Sequence, residues 1–496
     1  EISLGLVGSE MCIRDSIKER GELRFDEVKA MEGAAWIKGS LVFKVLYRSD
    51  KQEGKISCLR GEIPFQERLN MDGLSEYDAV HATGDMEDLT IGVINSRKLN
   101  VRAVIVLTAS SEKEVDEELT CELSDGSSYE QNIVEKEALK LLVVRRDICR
   151  QKSEAVLPSS KPNIREILWQ SMQLRNVESR LVEGNIRLSG EILVSILYND
   201  EEEGEHLSWY ETTVPLDAQA ECGVMEDDCI WQVQMVPLTM ELEVKPDYDG
   251  EERILVMELA LDTHIRIWKE EKIRLLTDLY SLQKEVKPVF RECPLERLLV
   301  KNAAKCRMTE QMELKEDKEK VLQICSCEGK VLLERQEIKT DGVLAEGTVE
   351  VNILYITPDD HMPVGAVQEI YPFSQLVEIP EMSAQAKVEL DASLEQLSAV
   401  MLDQEHVEIR AAVRLDLIAF VQEVIQNIEE ATESEPDLEM LRNRPGLVGY
   451  IAKAGDDLWT IARENHTTIQ NIMETNHRKS EVLLAGEKVL IVKQVG

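Results

Sequence analysis

The sequence predicts a mainly β protein, with three tandem antiparallel β-sandwich-like modules followed by a small C-terminal β-α-α-β domain. The first observation is a nine-residue phrase that occurs three times, over 39–47, 190–198 and 347–355. Each copy begins with glycine, ends with Leu-Tyr and is apolar at alternate positions, which is the period of a half-buried strand. A phrase repeated at domain-sized spacing indicates tandem copies of one module. The second observation is that apolar residues recur at helical spacing near the C-terminus, where two short helices are predicted.

Composition agrees with this class and excludes several functions. Of the 496 residues 43% are hydrophobic and 31% charged, as in folded proteins, and the length allows several domains. Aromatic residues make up only 4%, so the cores rely on aliphatic side chains that favour strands. The net charge of −38 disfavours nucleic acids and anionic membrane surfaces as partners. No apolar run is long enough for a membrane-spanning helix, so we expect no membrane insertion.

Each module has recognisable parts besides the repeated phrase. Turn residues, namely Gly33, Gly184 and the pair Asp341–Gly342, precede the phrase and make it the second arm of a hairpin. Alternating residues predict a later strand in each copy, at 101–107, 255–261 and 407–417. Turn clusters precede these strands at 95–98, 247–250 and 403–406, with further extended segments at 231–244 and 387–390. Helical patches are expected in the connectors, at 162–172 and 295–304, and the strand order stays open.

The phrase spacing divides the chain. We expect modules at 17–125 (shortened at its N-terminal side), 126–288 and 289–428, and the C-terminal domain at 447–494. Residues 429–446 are acidic, bounded by proline and aperiodic, which is typical of a flexible linker. Residues 1–16 resemble a peptide that recurs at the ends of unrelated sequences through translated sequencing adaptor. We therefore expect 1–16 to be a non-native segment.

The C-terminal residues predict two strands around two short helices. A strand at 449–453 leads through a tight loop to a helix, which Asp456 or Asp457 can cap. One apolar face of this helix carries Leu458, Ile461 and Ala462, and the second helix repeats the pattern with Ile469, Ile472 and Met473. Asn476 ends the second helix, and residues 486–492 return as a strand. The two strands can pair with both helices on one side.

These residues closely resemble a LysM domain. The resemblance is carried by Tyr450, Gly455, Asp456, Leu458, Trp459, Ile461, Ala462, Thr468, Ile472, Asn476 and Gly486, although Val492 replaces the usual final proline. It implies a groove for N-acetylglucosamine polymers between the first strand–helix loop and the second helix–strand loop. The ligand or partner residues would be Gly455, Asp456, Leu458, Trp459, Asn476 and Leu483. The alternative is that these residues are only a turn, a cap and core, since the motif is needed for folding in either case.

The three repeats resemble the SPOCS module. Further support comes from the segment 278–281 and from Pro158, Lys161, Pro162 and Ile164 before the second copy. SPOCS modules with a C-terminal LysM domain are similar to the SpoIVA-interacting coat morphogenesis proteins of endospore-forming Firmicutes. This resemblance implies a cytoplasmic protein of the mother cell, at the forespore surface. It also implies that the protein binds the coat-basement ATPase and that LysM serves protein contact rather than glycan capture.

No residue pattern for catalysis, cofactor binding or a metal site is present. A phosphate-binding glycine loop, a zinc-protease helix and a nucleophile elbow are all missing, so we expect no enzyme. Ten dispersed cysteines and seven histidines show no zinc-site spacing, and reduced thiols are favoured over disulfides. The calcium-like segment 247–252 is better explained as a turn, and Tyr47, Tyr198 and Tyr355 as packing residues.

Two function classes remain open. The first is the non-enzymatic scaffold of spore-coat assembly. The second is an exported cell-wall protein whose LysM domain binds peptidoglycan or N-acetylglucosamine oligomers. A complete N-terminus would distinguish them, because a signal peptide favours the second. The dispersed cysteines and the lack of a wall-hydrolase signature favour the first.

Overall fold

A computed structural model describes residues 2–7, 13–49, 55–95, 98–124, 128–201, 206–226, 228–314, 320–383, 385–437, 439, 443 and 445–493. The described chain is mainly β. Its strands are β1 (Ile2–Val7), β2 (Ile13–Met31), β3 (Ala34–Ser49), β4 (Ile56–Asn70), β5 (Val80–Asn95), β6 (Lys98–Ser111), β7 (Glu130–Val156), β8 (Ile164–Val182), β9 (Asn185–Asp200), β10 (Leu207–Glu221), β11 (Ile230–Pro246), β12 (Glu252–Tyr280), β13 (Glu285–Glu313), β14 (Gln323–Ile338), β15 (Gly342–Ile356), β16 (Val364–Glu378), β17 (Ala386–Met401), β18 (His406–Ser434), β19 (Leu447–Ile451) and β20 (Lys488–Val492). The helices are α1 (Leu458–Glu464) and α2 (Ile469–Thr475).

Each of the three modules consists of two three-stranded antiparallel sheets. The repeated phrase forms the central strand of one sheet, in the orders β2-β3-β4, β8-β9-β10 and β14-β15-β16. The later alternating strand is central in the other, in the orders β1-β6-β5, β7-β12-β11 and β13-β18-β17. Apolar faces of the two sheets meet in a separate core for each module. The predicted mainly β fold with repeated antiparallel modules is therefore confirmed.

The predicted hairpins and packing tyrosines are also present. Glu183 and Gly184 both have positive φ, 46° and 80°, as a two-residue hairpin turn between β8 and β9 requires. Tyr198 and Tyr355 are fully buried in the cores of the second and third modules, and Tyr47 packs partly buried in the first. The Tyr198 hydroxyl donates a hydrogen bond to the Pro162 carbonyl (3.1 Å). These tyrosines are packing residues, as expected.

Two expectations differ from the structure. Residues 162–172 and 295–304 were expected to contain helical patches, but they lie in or lead into β8 and β13, where pairing with a neighbouring strand overrides local preference. The expected linker begins later than 429, because 429–434 are the paired end of β18. Residues 13–16 begin β2, where the Asp15 carboxylate accepts two hydrogen bonds from Arg48 (2.9 and 2.6 Å). That residues 1–16 are non-native stays a prediction.

Four unusually long strands extend beyond the sandwiches. β11 stops pairing with β12 at Trp268, and β17 stops pairing with β18 at Val421, so only two-stranded ribbons continue. We call these ribbons, residues 130–142, 268–280, 285–298 and 420–434, the stalk. The ribbons pack on each other through Leu276, Leu279 and Ile428, and through a tilted contact between the rings of Trp268 and Phe420 (centroids 5.5 Å apart). Thirteen residues of strand span about 40 Å.

The three modules meet in a shared core, which we call the junction. Leu46, Leu197 and Leu354, the leucines identical in the three phrases, are all buried there in one apolar cluster. A polar contact crosses the same place, since the carboxylate of Glu328 accepts hydrogen bonds from Lys18 (2.8 Å) and from the Trp169 indole (3.2 Å). Arg20 lies 3.4 Å from the other Glu328 oxygen. Residues of the first and second modules are therefore tied to a single buried carboxylate of the third.

Candidate functional site: the C-terminal domain and its docking

The C-terminal domain is a two-stranded antiparallel sheet with both helices on one side. Leu447 pairs with Val492 and Ile451 with Lys488, at the two ends of β19 and β20. The inner face buries aliphatic side chains, Leu458, Ile461, Ala462, Ile472, Val489 and Ile491. Asp457, one of the two candidates, caps α1 by accepting from the Thr460 amide (2.8 Å), and Thr468 caps α2 by accepting from Asn471 (3.1 Å). The predicted β-α-α-β arrangement is confirmed.

In the first loop, the predicted site residues have structural contacts. Gly455 has φ of +91°, a conformation that other residues rarely adopt. The Asp456 carboxylate accepts hydrogen bonds from the Lys453 amide (2.7 Å) and the Tyr450 hydroxyl (2.8 Å), and these bonds lower its pKa. Leu458 is buried in the core. The first loop therefore folds around these three residues.

In the second loop, Asn476 and Leu483 stabilise the return to β20. Asn476 ends α2, and its amide nitrogen donates to the carbonyls of Ile472 and Leu490 (both 2.7 Å). Its side-chain oxygen accepts from the Leu490 amide (2.7 Å). Leu483 packs half-buried against the core. The polar atoms of Asn476 are thus used within the domain.

Trp459, the sixth predicted residue, contacts the stalk. Its indole nitrogen donates to Asp278 (2.7 Å), and the Arg463 guanidinium binds the same carboxylate oxygen (2.7 Å). Tyr280 packs edge-on against the Trp459 ring (centroids 4.9 Å apart), and its hydroxyl donates to the Thr467 carbonyl (2.8 Å). Burial raises the pKa of the Tyr280 hydroxyl, which therefore stays a donor. The C-terminal domain is docked at the end of β12.

Sequence reasoning missed this docking and one exposed feature. In the sequence, the segment 278–281 supports only the resemblance to the SPOCS module, because no sequence pattern shows which distant element it contacts. Val482 and Leu484, in the loop between α2 and β20, are each 71% exposed. Arg478 holds that loop by donating to the carbonyls of Ser480 (3.2 Å) and Val482 (2.5 Å). The sequence does contain a signal for this exposed patch, namely three consecutive apolar residues at 482–484. Successive side chains of an extended loop point to opposite sides, so the three cannot all face the core.

Reactive groups in the described residues do not form a catalytic centre. Glu226, Asp228 and Cys229 lie close enough to share an ion, and the Lys269 ammonium already forms ion pairs with the two exposed carboxylates. All nine cysteines in the described ranges are free, and burial raises the pKa of Cys325 and Cys327 to about 12, which keeps them as thiols.

Comparison with protein families agrees with the division of the chain into repeated β modules and a C-terminal domain. The family model described as SipL, SPOCS domain, matches residues 13–94 and 320–402, and the LysM domain model matches 450–492. The chain carries two SPOCS domains and a LysM domain. The second module lies outside these matches, yet it has the same two sheets with the same central strands as the two SPOCS domains. Comparison with curated proteins and with solved structures found no match.

Both domain types set the broad class of function. SPOCS and LysM families are non-catalytic binding domains, and the SPOCS match links the chain to sporulation. None of the described helices has the length and apolar character needed to cross a membrane. The chain is thus a sporulation-related protein built from binding modules.

Proposed function

We propose that this protein is a non-enzymatic scaffold of spore-envelope assembly. In this proposal it binds the coat-basement ATPase, stage IV sporulation protein A, in the mother-cell cytoplasm at the forespore surface. The LysM domain supplies the contact. The observation that carries the proposal is the joining of SPOCS domains to a C-terminal LysM domain in one chain.

The arrangement of the modules supports a scaffold. The buried Glu328 contact and the leucine cluster tie the three modules into one unit at the junction. The stalk then carries the LysM domain about 40 Å away from the sandwiches at the usual rise of a strand. A fixed spacing between a large body and a small binding domain suits a protein that holds two layers together.

The state of the LysM groove supports a protein partner over a glycan. Sugar recognition depends on convergent polar groups that are free to bind hydroxyls. The side chains of Asp456 and Asn476 instead hydrogen-bond within the domain, and Trp459 lies against the stalk. The large apolar side chains of Val482 and Leu484 stay exposed beside the groove, next to the exposed Lys479 and Glu481. Such a surface favours apolar protein contact.

A second candidate function rests on the LysM match itself, since this family suggests binding to N-acetylglucosamine polymers. In that case the protein would be exported and bound to peptidoglycan.

Two measurements separate the candidates. Purified ATPase is captured on the full chain and on a chain ending at residue 446, and both chains are titrated with N-acetylglucosamine oligomers by calorimetry. The scaffold proposal expects ATPase capture that is lost on truncation, with no heat from the oligomers. Equal ATPase capture by both chains, together with micromolar oligomer binding by the full chain, would establish the wall-binding alternative.

A further inference from the structure

The outer face of the LysM sheet is an exposed aliphatic surface. On β19 and β20 alternate residues point away from the helices, and among them Leu447, Ile451 and Leu490 are 61%, 60% and 41% exposed. Gly449 lies directly opposite Leu490, and a Cβ placed on Gly449 would meet no atom within 4 Å. The face therefore has aliphatic side chains around an open notch at Gly449.

Docking on the stalk leaves this face uncovered. The contacts with Asp278 and Tyr280 are made by Trp459, Arg463 and Thr467, which belong to α1 and the turn after it. Because the helices cover the inner face of the sheet, the outer face lies on the other side of the domain from those contacts. The exposures given above are those of the docked chain.

The charge around the face differs from that of the rest of the protein. Residues 447–493 contain six basic and six acidic residues, so the whole net charge of −38 lies outside the LysM domain. The outward positions of the two strands carry no carboxylate, and Lys488, opposite Ile451, is exposed there with no ion pair among the described residues. The net negative charge of the modules repels an acidic protein surface, whereas this sheet face is neutral apart from one lysine and does not repel it.

We propose that the outer sheet face of the LysM domain, centred on Gly449, is the docking surface for a protein partner that presents an aliphatic patch flanked by carboxylates. This inference rests on the proposed function, and it assigns the contact to the sheet face rather than to the predicted groove. Aliphatic contact supplies the affinity, and Lys488 adds attraction that weakens with salt.

The test uses the full chain, with purified stage IV sporulation protein A as the probe. Gly449→Glu places a carboxylate in the open notch, where the backbone accepts a side chain. Gly92→Glu is the matched control, because Gly92 is also an exposed strand glycine, in the first module, where an added Cβ would meet only the Asn100 carbonyl oxygen, at 3.9 Å. We expect Gly449→Glu to weaken binding about 30-fold, the size of a central interface residue, and Gly92→Glu to leave it unchanged.

Further variants and measurements distinguish loss of binding from misfolding, and they show whether a second copy of the chain occupies the surface instead. Ile451→Glu should weaken binding in the same way, and Lys488→Glu should weaken it more at low than at high salt. If the unaltered chain does not bind the ATPase, the proposed function fails. If it binds, and truncation at 446 abolishes binding while Gly449→Glu and Ile451→Glu do not, this surface assignment alone is wrong. If sedimentation shows a dimer of the unaltered chain that Gly449→Glu dissociates, the occupant is a second copy, which also overturns the proposal.

Discussion

Glu328 at the junction offers the sharpest test of the three-module unit. In the variant Glu328→Gln the shape is kept and the negative charge is lost. The buried ammonium of Lys18, 2.8 Å from the Glu328 side chain, is then left without a negatively charged partner. Arg20 loses its ion pair with the same side chain, at 3.4 Å. Breaking a buried ion pair from one side typically costs about 3–5 kcal/mol, so we expect a loss in this range in the free energy of unfolding.

The assay is urea unfolding of the full chain, followed by tryptophan fluorescence; one of the six tryptophans, Trp169, donates a hydrogen bond to the same carboxylate. The control is Glu258→Gln, which removes the charge from an exposed pair with Lys152 (2.7 Å). Exposed pairs contribute about 0–1 kcal/mol, so the control should unfold nearly as the unaltered chain does. A loss for Glu328→Gln no larger than that of the control would refute the view that this carboxylate holds the modules together.

Three further predictions concern the same elements. Burial alone would raise the pKa of Glu328, but the charges of Lys18 and Arg20 outweigh it and lower the pKa below 4.5. The stability that the Glu328 carboxylate gives the folded chain is therefore present at neutral pH and is lost as pH falls through the lowered pKa. Unfolding at pH 7 and pH 3 should show this loss of stability, and the loss should be smaller in Glu328→Gln. Tyr198→Ala should destabilise the second module by about 3–5 kcal/mol, seen as faster hydrogen exchange in β9 but not in β15. Faster exchange in both strands would contradict separate cores. Limited proteolysis should cut first between 435 and 445, where the sequence is acidic and proline-bounded, and a first cut inside 450–492 would contradict a self-contained LysM fold.

Much of the fold could be predicted because strand alternation is local. The phrases, the turns before them and the later strands all follow from a period of two and from turn residues. The LysM elements follow equally from helical spacing and caps. These signals need no knowledge of distant contacts.

What could not be predicted depends on residues far apart in the chain. The adjacent pair Leu197–Tyr198 shows why, since neighbouring strand residues face opposite ways: Tyr198 enters its own module core and Leu197 enters the junction. The sequence shows that both faces are covered but not what covers the leucine face. The stalk was missed for the same reason, because 295–304 reads as helical locally and becomes a strand by pairing with β18.

The candidate site shows the same division. The LysM motif located Gly455, Asp456 and Asn476 correctly as residues of two loops, but their hydrogen bonds appear only in the fold. Docking of Trp459 on Asp278 joins residues far apart in sequence and has no local signal.

The central claim is that the LysM end binds the coat-basement ATPase. Its most direct test is the dissociation constant of purified ATPase for the full chain and for the chain ending at residue 446. We predict measurable binding to the full chain and a loss of at least about 100-fold on truncation, since a few central residues carry most interface energy. Equal dissociation constants for the two chains would contradict the account.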